Sequence, residues 1–333
     1  CDTMNKYVGA RITYQFGDKS ETLSGDEIHN WLTVNGTSVR INEGKATEYV
    51  KKLAASYDTA YKAKSLKTSY GKTVSITGGS YGYKINQAKE AATLVSLIKN
   101  GEQTSREPEY SQKGASRTGN DYGNTYVEIN LTAQHLYFYV KGKLVVQSDF
   151  VSGNAAKGWS TPAGAYSITY KQRNATLKGQ GYATPVSYWM PFNGGIGLHD
   201  ANWRKTFGGT IYKTNGSHGC VNLPPAVAKT IYENISAGDP VLCYHLDGTE
   251  SASTSGTKKD ETAATTAAAT TAAPETTVAP TTAAPETTAA PTTAAPTTEA
   301  PTTPAAGGDQ ESVGPGFAPE TEGTTEQEVG PGF

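Results

Sequence analysis

The 333-residue chain has only three cysteines, Cys1, Cys220 and Cys243, which excludes a disulfide-stapled scaffold. It lacks any run of about eighteen apolar residues, so no stretch reads as a helix able to cross a bilayer. It also lacks an excess of either charge: 29 Lys and Arg against 31 Asp and Glu leave a formal net charge of −2. That balance excludes the basic field that a nucleic-acid partner requires. Paired Cys-x-x-Cys and His-Glu-x-x-His spacings are missing, which argues against zinc even though His199, His218, Cys220 and His245 are ligand types.

From Thr249 onward no aromatic, Leu or Ile appears until Phe317, while Pro274, Pro280, Pro285, Pro291, Pro296 and Pro301 recur among Thr and Ala. So little apolar surface cannot offset chain entropy, and residues 248–333 read as a disordered, extended tail. The pentapeptide Val313-Gly314-Pro315-Gly316-Phe317 returns as Val329-Gly330-Pro331-Gly332-Phe333 without an evident physical reason. At the other end, Cys1 stands first without Met, and two origins stay open: a removed targeting segment, or a lipid-modified first residue.

What is present divides the rest into two folded regions. Residues 1–119 read as an α+β domain. Tyr7 to Phe16 alternates as a strand should, Asp26 to Leu32 looks like a short helical turn, and Thr73 to Gly79 is a strand entering a turn. Lys45–Tyr57 places Ala46, Tyr49, Val50, Leu53 and Tyr57 on one helical face. Gln87–Lys99 is a second helix, with Ala88, Ala91, Ala92, Val95 and Leu97-Ile98 inward and Asn100-Gly101 as its stop. Tyr81, Tyr83 and Tyr110 suit either core packing or a glycan-stacking platform. Polar residues 111–124 then separate the regions.

Residues 120–247 read as mainly β, a sandwich or barrel. Strands are expected at 126–131, 136–140, 144–148 and 166–170, with one short helix from Pro224 to Asn234 and a terminal strand holding Cys243. Cys243 reads as a core residue, with a bridge to Cys220 as the alternative.

The chemistry concentrates in Ser217-His218-Gly219-Cys220-Val221-Asn222 and in His199, which ends the glycine-rich run Gly194-Gly195-Ile196-Gly197-Leu198. A thiol is nucleophilic as thiolate, and an imidazole is the usual way to lower its pKa from about 8.5. Proximity in sequence favours His218 as that partner. Gly219 permits close approach of a carbonyl, and the N–H groups of His218, Gly219 and Cys220 are candidates for an oxyanion hole. Pro224-Pro225 opens the helix soon after, so the helix dipole is expected to favour the thiolate.

Residues 122–245 resemble the L,D-transpeptidase (YkuD-type) catalytic domain, whose pattern is a His, a loop, then Ser/Thr-His-Gly-Cys-x-Asn. The resemblance implies Cys220 as nucleophile and shifts the base from His218 to His199, with the backbone carbonyl of Asp200 orienting that imidazole. The Asp200 side chain departs from the small residues common there, and either supports the imidazolium or faces solvent. His218 and Gly219 remain in the catalytic set. Tyr182, Gly194, Gly195, Asp200, Ser217 and Asn222 are implied on the substrate side.

Residues 7–118 resemble the peptidoglycan-binding domains found ahead of such catalytic domains, through Thr68 to Lys72, Gly78 to Asn86 and Arg106 to Pro108. The resemblance further implies an extracytoplasmic enzyme acting on peptidoglycan stem peptides, a tetrapeptide donor and an amine acceptor, with 3→3 cross-links as product. It implies acylation by carbapenems and no metal or organic cofactor. An L,D-carboxypeptidase using water as acceptor and a non-catalytic wall-binding protein are the competing functions.

Overall fold

The computed structural model describes residues 1–179 and 182–250, with backbone alone at Tyr182. The tail expected over 248–333 lies outside the described residues except for its first three positions.

The N-terminal region runs α1 (Asp2–Val8), β1 (Arg11–Phe16), β2 (Lys19–Leu23), α2 (Gly25–His29), β3 (Leu32–Asn35), β4 (Ser38–Ile41), α3 (Glu43–Tyr57), β5 (Lys64–Lys67), β6 (Thr73–Ile76), β7 (Lys84–Ile85), α4 (Gln87–Asn100), β8 (Gln103–Arg106) and β9 (Tyr110–Gln112). Alternation holds in β1, where Ile12, Tyr14 and Phe16 point into the core, and β1 sits between antiparallel β2 and parallel β8. The strand begins later than its pattern suggests, because Tyr7 and Val8 belong to α1. Helix α3 buries Ala46, Tyr49, Val50 and Leu53 as expected. In α4 the buried stripe is Glu90, Ala91, Leu94, Val95 and Ile98, whereas Ala88 and Ala92 face solvent. The inward carboxylate explains the shift: Glu90 accepts from the Tyr14 hydroxyl at 2.6 Å and the Glu109 N–H at 2.6 Å, and it pairs with Arg106. Gly101, at φ +68, closes the helix in the left-handed conformation that favours glycine.

The three tyrosines are packing residues. Tyr81 and Tyr83 are buried, and the Arg117 guanidinium lies 3.8 Å from the Tyr83 ring centre and 4.9 Å from that of Tyr110. No face of Tyr81 or Tyr83 is left for a sugar.

The second region contributes β10 (Tyr126–Asn130), β11 (His135–Val140), β12 (Lys143–Asp149), β13 (Gly164–Ser167), β14 (Gln172–Gly179), β15 (Tyr182–Asn193), β16 (Ile196–Asp200), α5 (Ile211–Asn215), β17 (Val221–Leu223), α6 (Pro225–Asn234) and β18 (Pro240–Tyr244). A five-stranded sheet, β12-β11-β10-β18-β13, faces a four-stranded one, β14-β15-β16-β17. Val127, Ile129, Phe138 and Val241 from the first meet Met190, Leu198 and Val221 from the second, with Ile231 of α6 in the same core. Cys243 is fully buried there as a free thiol, which leaves no bridge to Cys220. The long β14–β15 hairpin has no counterpart among the sequence-based strands. Pro185 and Pro191 interrupt its pattern, which proline does without breaking a strand only at an edge or bulge.

Strands β10 and β18 are buried on both faces, which a simple sandwich does not require. The outer face is covered by the first region: Leu66, Ile76 and Tyr81 pack with Tyr122, Ala165, Leu242 and Tyr244. Glu128, 1 % exposed, anchors the seam by accepting from the Ser69 N–H (2.9 Å), the Ser69 hydroxyl (2.8 Å) and the Tyr244 hydroxyl (2.7 Å). Nearby, Lys64 pairs with Asp121 at 2.6 Å, so residues 111–124 are fastened rather than a free spacer. Glu128→Ala leaves these donors without an acceptor and should cost roughly 2–4 kcal/mol. Urea unfolding should show a lower midpoint at unchanged slope.

Candidate active site

The site is built where β16 and β17 run parallel, with Leu198 opposite Val221 and His199 opposite Asn222. Side chains alternate across a strand, so Leu198 and Val221 enter the core while His199, Cys220 and Asn222 share the other face. There they line a cleft of about 240 Å³ together with Leu177, Thr184, Trp203, Arg204, Gly216, Ser217 and His218. Gly197 is obligatory, because a Cβ would sit 2.6 Å from both the Met190 carbonyl oxygen and the Trp189 ring.

His199 is 4 % exposed and lies between two indoles, with ring centres 5.9 Å from Trp189 and 6.0 Å from Trp203. Its Nδ1 is 2.9 Å from the Asp200 carbonyl oxygen. A carbonyl only accepts, so Nδ1 carries the proton and the neutral ring keeps its lone pair on Nε2. Burial holds this imidazole below its ordinary pKa and the Arg204 charge adds to the effect, while the carbonyl and carboxylate of Asp200 act in the opposite direction. The Asp200 side chain does not face solvent; it is buried and accepts from the Tyr188 N–H at 2.8 Å. Contrary to the substrate-side role expected of it, the Asp200 carboxylate is committed to the backbone of β15.

The Cys220 thiol donates to the Gly195 carbonyl at 3.6 Å rather than to the imidazole. Burial pushes its pKa up to about 11, with the Gly197 N–H pulling the other way. The expected help from a helix dipole is missing, because β17 intervenes between Cys220 and α6. Burial thus favours the neutral form of both the thiol and the imidazole.

The remaining motif residues fix the loop. The Ser217 hydroxyl donates to the Cys220 carbonyl (2.6 Å) and accepts from the Gly219 N–H (3.1 Å), which removes that N–H from the candidate oxyanion donors. Thr161 donates to the Gly219 carbonyl at 2.6 Å. Gly219 has φ +118, and Ile196 would lie 3.0 Å from any Cβ there. His218 stacks on Trp159, ring centres 4.1 Å apart, and burial followed by the Lys157 charge holds it below its ordinary pKa. Asn222 is buried and its Oδ1 has no hydrogen-bond partner among the described residues. Gly194 and Gly195 form the open turn joining β15 to β16. The Tyr182 side chain lies outside the described residues.

Sequence reasoning missed Leu177, Thr184, Trp159 and Arg204. The last follows Trp203 closely enough for a loop cation to be suspected, but nothing in its spacing marks it as part of the site.

The comparisons with known proteins agree on one family. Residues 124–243 match the L,D-transpeptidase catalytic domain model (YkuD), and residues 2–106 match that of a peptidoglycan binding domain. A crystal structure of an Enterococcus faecium L,D-transpeptidase carrying a cysteine-to-serine substitution is 32% identical over 73% of this chain and 98% of its own, with a TM-score of 0.60. This chain belongs to the L,D-transpeptidases. The Ldtfm–avibactam carbamoyl enzyme is 33% identical over 73% of this L,D-transpeptidase and 96% of its own chain, with the same TM-score of 0.60. No curated protein matches.

In the free L,D-transpeptidase, alkylation of Cys220 by iodoacetamide should rise about tenfold per pH unit from pH 7 toward the thiol value of about 11. Peptide mapping of the Cys220 adduct measures this, and a plateau near pH 7 would show a preformed thiolate instead.

Proposed function

We propose that this enzyme forms 3→3 cross-links in peptidoglycan through a Cys220 thioester, outside the cytoplasmic membrane. The observation that carries the mechanism is the His199 tautomer: Nδ1 is committed to the Asp200 carbonyl, so Nε2 is the acceptor left in a cleft shared with Cys220. The donor is a tetrapeptide stem. The thiol proton passes to His199 as sulfur bonds to the carbonyl carbon of the third residue. The C–N bond to the terminal D-alanine then breaks, and the imidazolium returns its proton to the departing amine. In the second half, the side-chain amine of another stem attacks the thioester, His199 takes the amine proton, and the thiol is released.

A thiol with a pKa of about 11 is suited to this sequence, since it needs the base only while substrate is present. Acylation by carbapenems would use the same nucleophile; the avibactam carbamoyl enzyme of a 33% identical relative supports covalent inhibition in this fold. The match to a peptidoglycan binding domain supports retention on the wall through the first region.

Incubation with disaccharide-tetrapeptide, followed by mass spectrometry, should yield cross-linked dimer and free D-alanine. Cys220→Ala should abolish both, and His199→Ala should lower kcat/KM by at least about 10²-fold. Tripeptide without dimer would identify water as the acceptor, and turnover by Cys220→Ala would overturn the mechanism.

A further inference from the structure

Arg204 is a charged group of the candidate cleft whose guanidinium has no bonded partner among the described residues. Among the described residues that line that cleft, Arg204 is the one Lys, Arg, Asp or Glu, and burial favours the neutral form of the two imidazoles and the thiol beside it. Among the described residues no side-chain ion pair or hydrogen bond reaches Arg204, and its Nε is buried without a partner. Burial also lowers its pKa, so the cation is desolvated with nothing offsetting the loss.

The backbone beneath it is fixed. The Arg204 N–H donates to the Ala201 carbonyl at 3.0 Å, and the Ala201 N–H donates to Leu223 of β17 at 2.9 Å. The side chain is therefore carried from the same strand pair that positions His199 and Asn222. It is a half-buried, unpaired donor set on a rigid base, open to the space where substrate binds.

A guanidinium offers its N–H groups in a planar fork that matches two carboxylate oxygens, and the match strengthens where water is excluded. We propose that Arg204 is the carboxylate-binding group of the cleft and selects donor stems bearing a free carboxylate beside the bond to be broken. The inference deepens the transpeptidase assignment and rests on it for the identity of the donor. Two carboxylates on such a stem share the required chemistry, that of the terminal residue and that of an internal acidic residue. The terminal one lies a single residue beyond the attacked carbonyl, and its departure with the leaving amine would empty the Arg204 site for the acceptor.

Arg204 also bears on His199, whose imidazole its charge helps keep neutral. A test therefore needs a ratio that cancels any general change in reactivity. The first arm measures acylation of Cys220 by intact mass spectrometry with three tetrapeptide stems: unmodified, amidated at the terminal carboxyl, and amidated at the internal carboxyl. The wild-type enzyme should prefer the unmodified stem at least about tenfold over one of the amides, which identifies the carboxylate. Arg204→Gln should erase that preference, and Arg204→Lys should keep part of it, having charge without the fork. Preference retained in Arg204→Gln overturns the proposal.

The second arm does not depend on the natural donor. The rate ratio of iodoacetate to iodoacetamide at Cys220 should fall about tenfold in Arg204→Gln. If no stem acylates the wild-type enzyme, the transpeptidase mechanism fails and this ratio alone decides: a fall supports a carboxylate site, and an unchanged ratio overturns it.

Discussion

The parallel pairing of β16 with β17 is the constraint on which the site depends. Its register sets His199 beside Asn222 and leaves Cys220 one step before the strand, on the same face. Every neighbouring requirement follows from holding two strands that close. Gly197 must lack a side chain so that β16 can lie against Trp189, and Ser217 and Thr161 hold the loop carbonyls that precede β17. The hydrophobic partners on the opposite face, Leu198 and Val221, tie this geometry to the main core. A shift of one residue in either strand would exchange the catalytic face for the buried one.

Cys220 and His199 occupy their places in the candidate site through backbone chemistry more than through each other. His199 is oriented by the carbonyl of the next residue, Cys220 by the carbonyl of Gly195, and no bond links the two side chains. The electrostatics are consistent with this. Burial, the dominant influence on each group, disfavours the charged form of both. In the proposed mechanism, a neutral pair would let proton transfer be driven by the substrate, as a carbonyl or amine enters and solvent leaves.

Much of the fold and most of the lining of the candidate site were legible in the sequence, and the failures have physical causes. Periodicity located α3, α4 and α6 because each buries one stripe. It misassigned the inward face of α4, where a carboxylate takes a core position because Tyr14, Arg106 and a backbone N–H satisfy it. Local pattern could not show that β10 and β18 are covered on both sides, since the cover comes from residues such as Leu66 and Tyr81 far away in the chain. The motif gave Cys220 and His199, yet the helix-dipole expectation failed because three residues of strand separate Cys220 from the helix region. Asp200 was legible only as a backbone carbonyl; its side chain faces Tyr188, on the far side of the strand. Arg204 was invisible because isolation, the property that distinguishes it, exists only in three dimensions.

The burial that raises the pKa of the Cys220 thiol has a chemical consequence beyond the reaction itself. Oxidants such as peroxide attack thiolates, and a sulfur kept protonated offers them little. Cys243, sealed in the core, offers less still. The burial that favours the protonated thiol of Cys220 therefore also disfavours the thiolate from which sulfenic acid forms, so that in the proposed mechanism chemical endurance and catalytic restraint share one origin.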